Sequence, residues 1–393
     1  MNYLEQSKEV FLHAYGRYDI TMDHGKGVYL YDVNGKKYLD FYSGIGVNSF
    51  GHAYPLYVEK MQEQLTKVMH VSNYFNTVVS IDAAKVVCET IGMDKIFFTN
   101  SGTEATEGAL KLARKYYYLK HQKTDSEIIS FHQSFHGRST GALRLTGNEG
   151  YQKAFGPLID GVHHAILNDI ESVKTLINER TCAIILEPVQ GEGGLTVCKK
   201  EFILELRQLC TDHDIVFIFD EVQSGMGRTG TIMTYKQFDI TPDIVCMAKG
   251  LGAGFPVGAF AANGAIADAL QPGDHGTTYG GNPMAGMAVK TVFEILEKEN
   301  LVEHVALIGK YLEQELNKLV EKYDCIVERR GLGLMQGLVF DHPVGDYIKK
   351  AQAKGLIFVS AGANVIRLLP PFIIEEAHVD QFVSILEEIM KEA

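Results

Sequence analysis

The chain has 393 residues, of which 46% are hydrophobic and 22% charged, and its 37 basic and 49 acidic residues give a net charge of -12. This size and composition are those of a globular protein with one large domain or two smaller ones. Because the sequence is acidic overall and has no stripe rich in lysine or arginine, nucleic acid and anionic membrane surfaces are not expected partners.

The first forty-odd residues predict a small antiparallel hairpin, since glycine-containing turns at 25–27 and 32–35 flank the alternating segment 28–31. Further along, short apolar runs of β type alternate with helical patterns. Strands are predicted at 96–98, 128–131, 183–186, 215–219 and 244–247, and helices at 104–120 and 202–213. This order predicts an α/β fold with a mainly parallel sheet covered by helices on both faces. Ligands of such sheets bind at the carboxyl ends of the strands.

After Pro283 the pattern is helical to about Lys322. Two strand-like segments and a final amphipathic helix follow, at 334–340, 365–369 and about 375–391. We predict a large central domain of residues 47–285. A smaller α+β domain is predicted to form from both chain ends, residues 1–46 and 286–393.

The six cysteines are scattered without a CxxC pair, which predicts a reducing compartment and no structural zinc. The first residues lack a basic segment followed by an apolar one, and no apolar stretch approaches eighteen residues. These features predict a cytoplasmic protein without a membrane span.

The segment from Asn100 to Ala105 follows a predicted strand and opens a predicted helix. Free N–H groups at a helix start, together with the hydroxyls of Ser101 and Thr103 and the small Gly102, suit a phosphate group. The same segment fits a capping box, which stabilises a helix and binds nothing. The residues alone leave both interpretations open.

Lys249 and Asp220 each end an apolar strand pattern. Lys249 opens a glycine-rich loop, and an amine in a pocket of small residues is one way to hold an aldehyde cofactor. A lone lysine there is more often a surface residue. Asp220 would be costly to bury without a cation, such as a protonated pyridine nitrogen, but it could equally be a surface acid that caps a turn.

Two apparent motifs are set aside. Gly225 to Gly230 spell GxGxxG, but four residues separate them from the preceding strand, so a nicotinamide dinucleotide is not expected. His132 and His136 have the spacing of a zinc-binding helix, but they follow a strand pattern and no glutamate comes after His132. We therefore predict no metal site.

Six segments in order along the chain resemble the class III pyridoxal-phosphate-dependent aminotransferases. They are residues 101–105, 135–138, 187–194, 220–225, 248–250 and 277–283. Within that family the pattern is most similar to the enzymes that use acetylornithine. The resemblance implies fold type I and a homodimer whose active sites are shared between subunits.

The resemblance also implies roles for individual residues toward pyridoxal 5'-phosphate. Lys249 would hold the cofactor covalently and move the substrate proton, and Asp220 would pair with the pyridine nitrogen. The remaining cofactor-binding residues would be Ser101, Gly102 and Thr103 at the phosphate with Thr278 of the partner subunit, Gln223 at the 3-hydroxyl, and Val222 and Phe135 on the ring faces.

For the substrates, the resemblance implies that Arg138 and Arg367 bind carboxylates and that Glu192 neutralises Arg367 when only one carboxylate is present. Tyr15, Ile45 and Thr277 are expected to line the distal pocket. The reaction implied is transfer of the δ-amino group of N2-acetylornithine to 2-oxoglutarate in arginine biosynthesis. Succinylornithine, ornithine and 4-aminobutyrate are the alternative amine donors. An oxidoreductase dependent on NAD, or a non-catalytic relative, is the alternative of another class.

Overall fold

The computed structural model describes residues 3–392. Its helices are α1 (Tyr3–Val10), α2 (Ser43–Gly46), α3 (Pro55–Leu65), α4 (Val78–Ile91), α5 (Gly102–His121), α6 (Thr140–Leu145), α7 (Glu149–Gln152), α8 (Ile170–Lys174), α9 (Lys200–Asp212), α10 (Gly264–Ala267), α11 (Pro283–Lys298), α12 (Leu301–Lys322), α13 (Gly345–Ala353) and α14 (Glu376–Lys391), with 3-10 turns at Thr234–Phe238 and Lys249–Leu251. Its strands are β1 (Met22–Lys26), β2 (Tyr29–Asp32), β3 (Lys37–Asp40), β4 (Lys95–Thr99), β5 (Glu127–Phe131), β6 (Val162–Ala165), β7 (Thr181–Leu186), β8 (Val189–Gln190), β9 (Thr196–Val197), β10 (Val216–Asp220), β11 (Ile244–Met247), β12 (Gly258–Ala262), β13 (Ile326–Leu332), β14 (Met335–Phe340), β15 (Leu356–Ile357), β16 (Val359–Ser360) and β17 (Val365–Leu368).

The central sheet has seven strands in the order β4-β12-β11-β10-β7-β5-β6. Neighbouring strands from β11 to β6 are parallel, and β12 alone runs antiparallel to both of its neighbours. The prediction of a mainly parallel sheet is therefore confirmed. Strand β12 itself was not predicted, because its glycine and alanine residues carry little β propensity.

Alternation along the strands divides the core between the two faces of this sheet. On one face, Phe217 and Phe219 of β10 belong to the cluster that includes Leu206 of α9. On the other, Ile218 packs with Ala109 and other residues of α5. Both faces are thus covered by helices, as predicted, and the loops at the strand ends are left to form a site.

The two chain ends meet outside the central sheet. Strands β1, β2 and β3 form an antiparallel meander, with Gly27 in the left-handed region at the first turn, and β15 joins β3 in parallel. A separate antiparallel sheet has the order β13-β14-β17-β16. The predicted hairpin is confirmed and is part of a larger sheet. The domain boundaries at 47 and 285 stay a prediction.

The helical pattern predicted from Pro283 to about Lys322 is present, but it is interrupted at residues 299–300. Two helices occupy this region, because Asn300 adopts the left-handed conformation with φ of 53° between α11 and α12. Asparagine tolerates this conformation better than most residues, so it separates the two helices where the apolar pattern continues. Among residues 3–392, no helix combines the length and apolar character needed to cross a bilayer.

Candidate active site

A cavity of about 390 Å³ lies where β4, β5, β7, β10 and β11 end. Each strand contributes the residues that follow its last position, as expected for the carboxyl edge of a parallel sheet. Eight of the nine residues predicted to bind the cofactor line this cavity: Ser101, Gly102, Thr103, Phe135, Asp220, Val222, Gln223 and Lys249.

The start of α5 forms one wall of the cavity. Ser101 is the N-cap residue, and its hydroxyl accepts a hydrogen bond from the Glu104 N–H at 3.2 Å. The Glu104 carboxylate accepts from the N–H of Asn100 rather than that of Ser101, so the reciprocal half of a capping box is not formed. A Cβ on Gly102 would lie 2.8 Å from a Val222 methyl group, so only glycine fits against this neighbour. The start of α5 thus has an N-cap at Ser101 and also forms a cavity wall suited to an anion.

Lys249 lines the cavity and is only partly exposed, so it is not a surface lysine. Burial, reinforced by the positive charge of Arg367, lowers the pKa of its amine to about 8. Its backbone is in the left-handed region with φ of 46°, a sparsely populated conformation for a residue with a side chain. The loop thus holds an amine that is far more readily deprotonated than that of a lysine in water.

Asp220 is 4% exposed at the end of β10, which rules out the surface-acid alternative. One carboxylate oxygen accepts from the N–H of Val222 at 3.0 Å, and the other lies 2.7 Å from Nδ1 of His136. Nε2 of His136 is buried and has no hydrogen-bond partner among residues 3–392. His136 was not predicted as a site residue, although it lies inside the segment 135–138 that was singled out.

Glu187 is a second site residue that sequence reasoning missed. It follows β7, lines the cavity and accepts hydrogen bonds from the N–H groups of Phe135 at 2.8 Å and Gly191 at 3.3 Å. Burial raises the pKa of its carboxyl to about 7. It therefore ties together two loops, one bearing Phe135 and the other leading to Glu192.

Arg367 on β17 is 3% exposed and pairs with Glu192. Its Nη1 lies 2.5 Å from the Glu192 carboxylate and donates to the Gly191 carbonyl at 3.0 Å. The charge of Arg367 lowers the pKa of Lys249 and the charge of Glu192 raises it. Burial raises the pKa of Tyr42, on which the same two charges also act. A buried arginine thus has one carboxylate partner, and both charges act on the amine of Lys249.

Arg138 is exposed and directly follows Gly137, which lines the cavity. Its guanidinium lies 3.8 Å from the ring centroid of Tyr151 and 5.5 Å from that of Phe135. Stacking on two rings orients the planar guanidinium while leaving its N–H groups available for a carboxylate. Tyr151 is a neighbour that the sequence did not identify.

The remaining predicted residues do not line this cavity within the single chain. Thr278 lines a separate cavity of about 320 Å³. Thr277 accepts a hydrogen bond from Asn100 at 3.2 Å, which places it next to the start of α5. Tyr15 is 72% exposed, and Ile45 packs on the apolar cluster that includes Leu195.

The two apparent motifs adopt other conformations. Gly225 to Gly230 form a series of turns, and within the described chain no helix starts at this segment. His132 and His136 lie in the turn after β5, so they do not share a helix face. All six cysteines are free.

Comparison with known proteins gives a consistent result. Residues 11–390 match the family model described as aminotransferase class-III. The acetylornithine aminotransferase of Clostridium acetobutylicum is 44% identical over 386 residues, covering 98% of this chain and all of that protein. The acetylornithine aminotransferase of Methanocaldococcus jannaschii is 44% identical over 391 residues, covering 100% of this chain and 98% of that protein.

Solved structures agree over the full length. The acetylornithine aminotransferase of Elizabethkingia anophelis superposes with a TM-score of 0.91 at 32% identity, covering 100% of this chain and 98% of that one. An ornithine aminotransferase of Toxoplasma gondii, with partial occupancy of PLP at its active site, gives a TM-score of 0.94 at 27% identity, covering 99% and 95%.

Proposed function

The chain belongs to the class-III aminotransferase family, and we propose that it uses pyridoxal 5'-phosphate to transfer the δ-amino group of N2-acetylornithine to 2-oxoglutarate. The products are N-acetylglutamate semialdehyde and glutamate, as in arginine biosynthesis. One observation carries the proposal: the amine of Lys249, the buried carboxylate of Asp220 and the start of α5 line one cavity, and the charges of the paired Arg367 and Glu192 both act on that amine. We also propose that the enzyme is cytoplasmic.

The residues around the cavity fit this cofactor. Oε1 of Gln223 is buried without a hydrogen-bond partner in the described chain, as expected of a group that awaits a ligand. When bound, the cofactor supplies an electron sink for the bond that breaks at the substrate carbon. Ser101, Gly102 and Thr103 would hold its phosphate. Asp220 would face its ring nitrogen, with Gln223 at the 3-hydroxyl and Val222 and Phe135 on the ring faces.

Lys249 would hold the cofactor covalently and, once the substrate amine displaces it, carry the substrate proton. A base is most useful when its pKa lies close to the working pH. With a pKa of about 8, roughly a quarter of the free amine is neutral at pH 7.5, against about 0.1% for a lysine in water. Burial of Lys249 therefore supports its role as the proton carrier.

The charges of the site match two substrates that differ by one carboxylate. Acetylornithine has a single carboxylate, which Arg138 would bind while Glu192 keeps Arg367 neutralised. Glutamate has two, so its α-carboxylate would replace Glu192 on Arg367 and its side-chain carboxylate would bind Arg138. Ile45, Tyr15 and Thr277 would shape the pocket for the acyl group.

We propose that two copies of the chain form the active dimer. Tyr74, Phe75 and Val78 are 95%, 72% and 77% exposed, an unusual density of large apolar side chains on a free surface. Phe75 lines the same separate cavity as Thr278. A second copy seated here would bury these side chains and place Thr278 near its partner's cofactor phosphate. We also propose that residues 47–285 form the large domain, and that residues 1–46 and 286–393 form the small one.

The cofactor and the donor are tested by a spectrophotometric half-reaction. Purified holoprotein should show the visible absorbance of the lysine-bound cofactor, and Lys249→Ala should lack it. Adding acetylornithine should convert the cofactor to its amine form, with kcat/KM above that for succinylornithine, ornithine and 4-aminobutyrate. No visible band in wild type rejects the cofactor, and a higher kcat/KM for another donor rejects acetylornithine.

The dimer is tested by sedimentation of wild type and of Phe75→Asp. Wild type should sediment as a dimer and the variant should dissociate, because a buried carboxylate without a partner is costly. Phe155→Asp, at a side chain that is 64% exposed elsewhere, is the matched control and should stay dimeric. A monomeric wild type, or a variant that dimerises as well as the control, would contradict this interface.

A further inference from the structure

A third pocket, also of about 320 Å³, lies along the C-terminal half of α5 and shares no lining residue with the active-site cavity or with the cavity lined by Thr278. Four cationic side chains line it: Lys111, Arg114 and Lys115 on α5, and Lys123 in the connection to β5. The only carboxylate in its lining is Asp274. We infer that this basic pocket binds a small phosphate-bearing anion.

The arrangement of the cations on α5 is unfavourable without such a ligand. Lys111, Arg114 and Lys115 occupy positions i, i+3 and i+4, which are neighbours on one helix face. Like charges at this spacing destabilise a helix by about 0.2–0.5 kcal/mol per pair. The protein as a whole is acidic, with a net charge of -12, so this concentration of positive charge runs against its composition. A bound anion would relieve the repulsion.

Asp274 does not neutralise the pocket. One of its carboxylate oxygens accepts from Lys115 at 3.0 Å and the other accepts from the N–H of Gln271 at 2.8 Å. Lys111 donates to the carbonyl oxygen of Asp274 and to Nδ1 of His275, each at 3.0 Å, and to neither oxygen of the Asp274 carboxylate. The single carboxylate is therefore already occupied by one of the four cations.

The other cations also lack carboxylate partners. Arg114 donates to the carbonyl oxygen of Asp160 at 3.0 Å. Within residues 3–392, none of Lys111, Arg114 and Lys123 forms an ion pair with a carboxylate. Three of the four cations that line the pocket thus have no carboxylate within ion-pair distance in the described part of the chain.

Phosphate suits this pocket better than a monocarboxylate does. A phosphate carries more charge and more acceptor oxygens, and it accepts from arginine in a bidentate manner while lysines act as point charges. The hydroxyls of Thr124 and Ser126 also line the pocket and add neutral donors. The volume lies at the lower end of the range for small-molecule sites, which favours a compact anion over a large cofactor.

The test is calorimetric titration of the holoenzyme with sodium pyrophosphate at constant ionic strength. Cofactor in the active site keeps its phosphate wall filled, so the titration reports the basic pocket. Wild type should bind one pyrophosphate per subunit. Removing one contacting cation in Lys111→Gln or Lys123→Gln should weaken the affinity about tenfold, which corresponds to about 1.4 kcal/mol.

The matched control is Lys310→Gln, which removes the same charge from an exposed lysine on α12 outside the pocket lining. It should bind pyrophosphate as wild type does. The inference is overturned if wild type releases no heat, or if all three variants bind equally, which would place the anion elsewhere, for example at the substrate arginines. Citrate binding as tightly as pyrophosphate would overturn the assignment to phosphate.

Discussion

Nδ1 of His136 lies 2.7 Å from a carboxylate oxygen of Asp220, and both side chains are buried. Because the second oxygen of Asp220 accepts from the backbone of Val222, both oxygens have a partner that fixes their direction. In the proposed enzyme this carboxylate faces the ring nitrogen of the cofactor. His136 is then a positioning residue, which acts through Asp220.

We predict that His136→Ala lowers kcat without a comparable change in KM. A hydrogen bond to a charged group contributes about 1.5–3 kcal/mol, so the loss should be roughly 10- to 150-fold. Steady-state kinetics and the pH profile of kcat measure it, since a misplaced carboxylate also moves the profile. His132→Ala, at an exposed histidine of the same turn, should be near wild type. Equal effects in both variants would exclude a role through Asp220.

Glu192→Gln should improve the half-reaction with glutamate and impair the half-reaction with acetylornithine. With the carboxylate gone, Arg367 is free to bind the second carboxylate of glutamate, so KM for glutamate should fall several-fold. The unpaired arginine should also capture the single carboxylate of acetylornithine in the wrong place, so kcat/KM for that amine should fall.

The control for this experiment is Glu328→Gln, which removes an exposed carboxylate paired with Arg330. It should leave both half-reactions unchanged. A parallel loss for both substrates in Glu192→Gln would mean that Glu192 only supports the loop and does not alternate with a substrate carboxylate.

The residues that could be predicted from the sequence are those that directly follow a strand. Ser101, Asp220 and Lys249 each come after an apolar β pattern, and parallel strands bring such positions to one edge. His136 depends on how the loop after β5 folds over that edge, which no sequence periodicity indicates. Glu187 directly follows the predicted strand 183–186, so the same rule could have identified it. The predicted contact of Thr278 with the cofactor phosphate cannot form within one chain, because the proposed contact is with the cofactor of the other subunit.

The fold likewise has elements that the local sequence predicts and others that depend on a single backbone conformation or on tertiary contacts. The continuous apolar run of β10 predicts a strand buried on both faces, and the structure has one. The break at Asn300 depends on a single backbone conformation, and the helical pattern of the apolar residues runs through it. The antiparallel β12 is made of residues whose burial comes from neighbours distant in sequence.

The apoprotein should take up pyridoxal phosphate faster as the pH rises through about 8. The neutral amine is the nucleophile, and burial lowers the pKa of Lys249 to about 8. Its neutral fraction therefore rises from roughly a tenth at pH 7 to roughly nine-tenths at pH 9. Stopped-flow absorbance measures the rate of cofactor uptake at each pH.

Arg367→Met provides a second check on this pH dependence. Removing the guanidinium removes a positive charge that lowers the pKa of Lys249, so the midpoint should move to higher pH. Arg330→Met is the control, because Arg330 is not one of the groups that shift the pKa of Lys249. The midpoint of this variant should match that of wild type. A wild-type midpoint near 10 would show that the amine is not buried as described.

The final prediction concerns the packing that holds α5 against the sheet. A Cβ at Gly108 would lie 2.1 Å from the Phe260 ring of β12, and that ring is stacked on Phe97 with centroids 5.2 Å apart. Alanine gains about 1 kcal/mol of helix propensity over glycine, whereas overpacking a core costs about 1–3 kcal/mol. The overlap is severe and the neighbour is a ring held by another ring, so the cost should exceed the gain.

Gly108→Ala should therefore lower the free energy of unfolding, measured by denaturant titration of the holoenzyme. Because α5 begins at the proposed phosphate wall, a displaced helix should also weaken cofactor binding, which dialysis and absorbance report. Gly345→Ala is the matched control, since Gly345 is a helical glycine with no atom within 4 Å of an added Cβ, and it should be neutral or slightly stabilising. A stabilised Gly108→Ala would show that propensity outweighs packing here, and that Phe260 can move aside without disturbing α5.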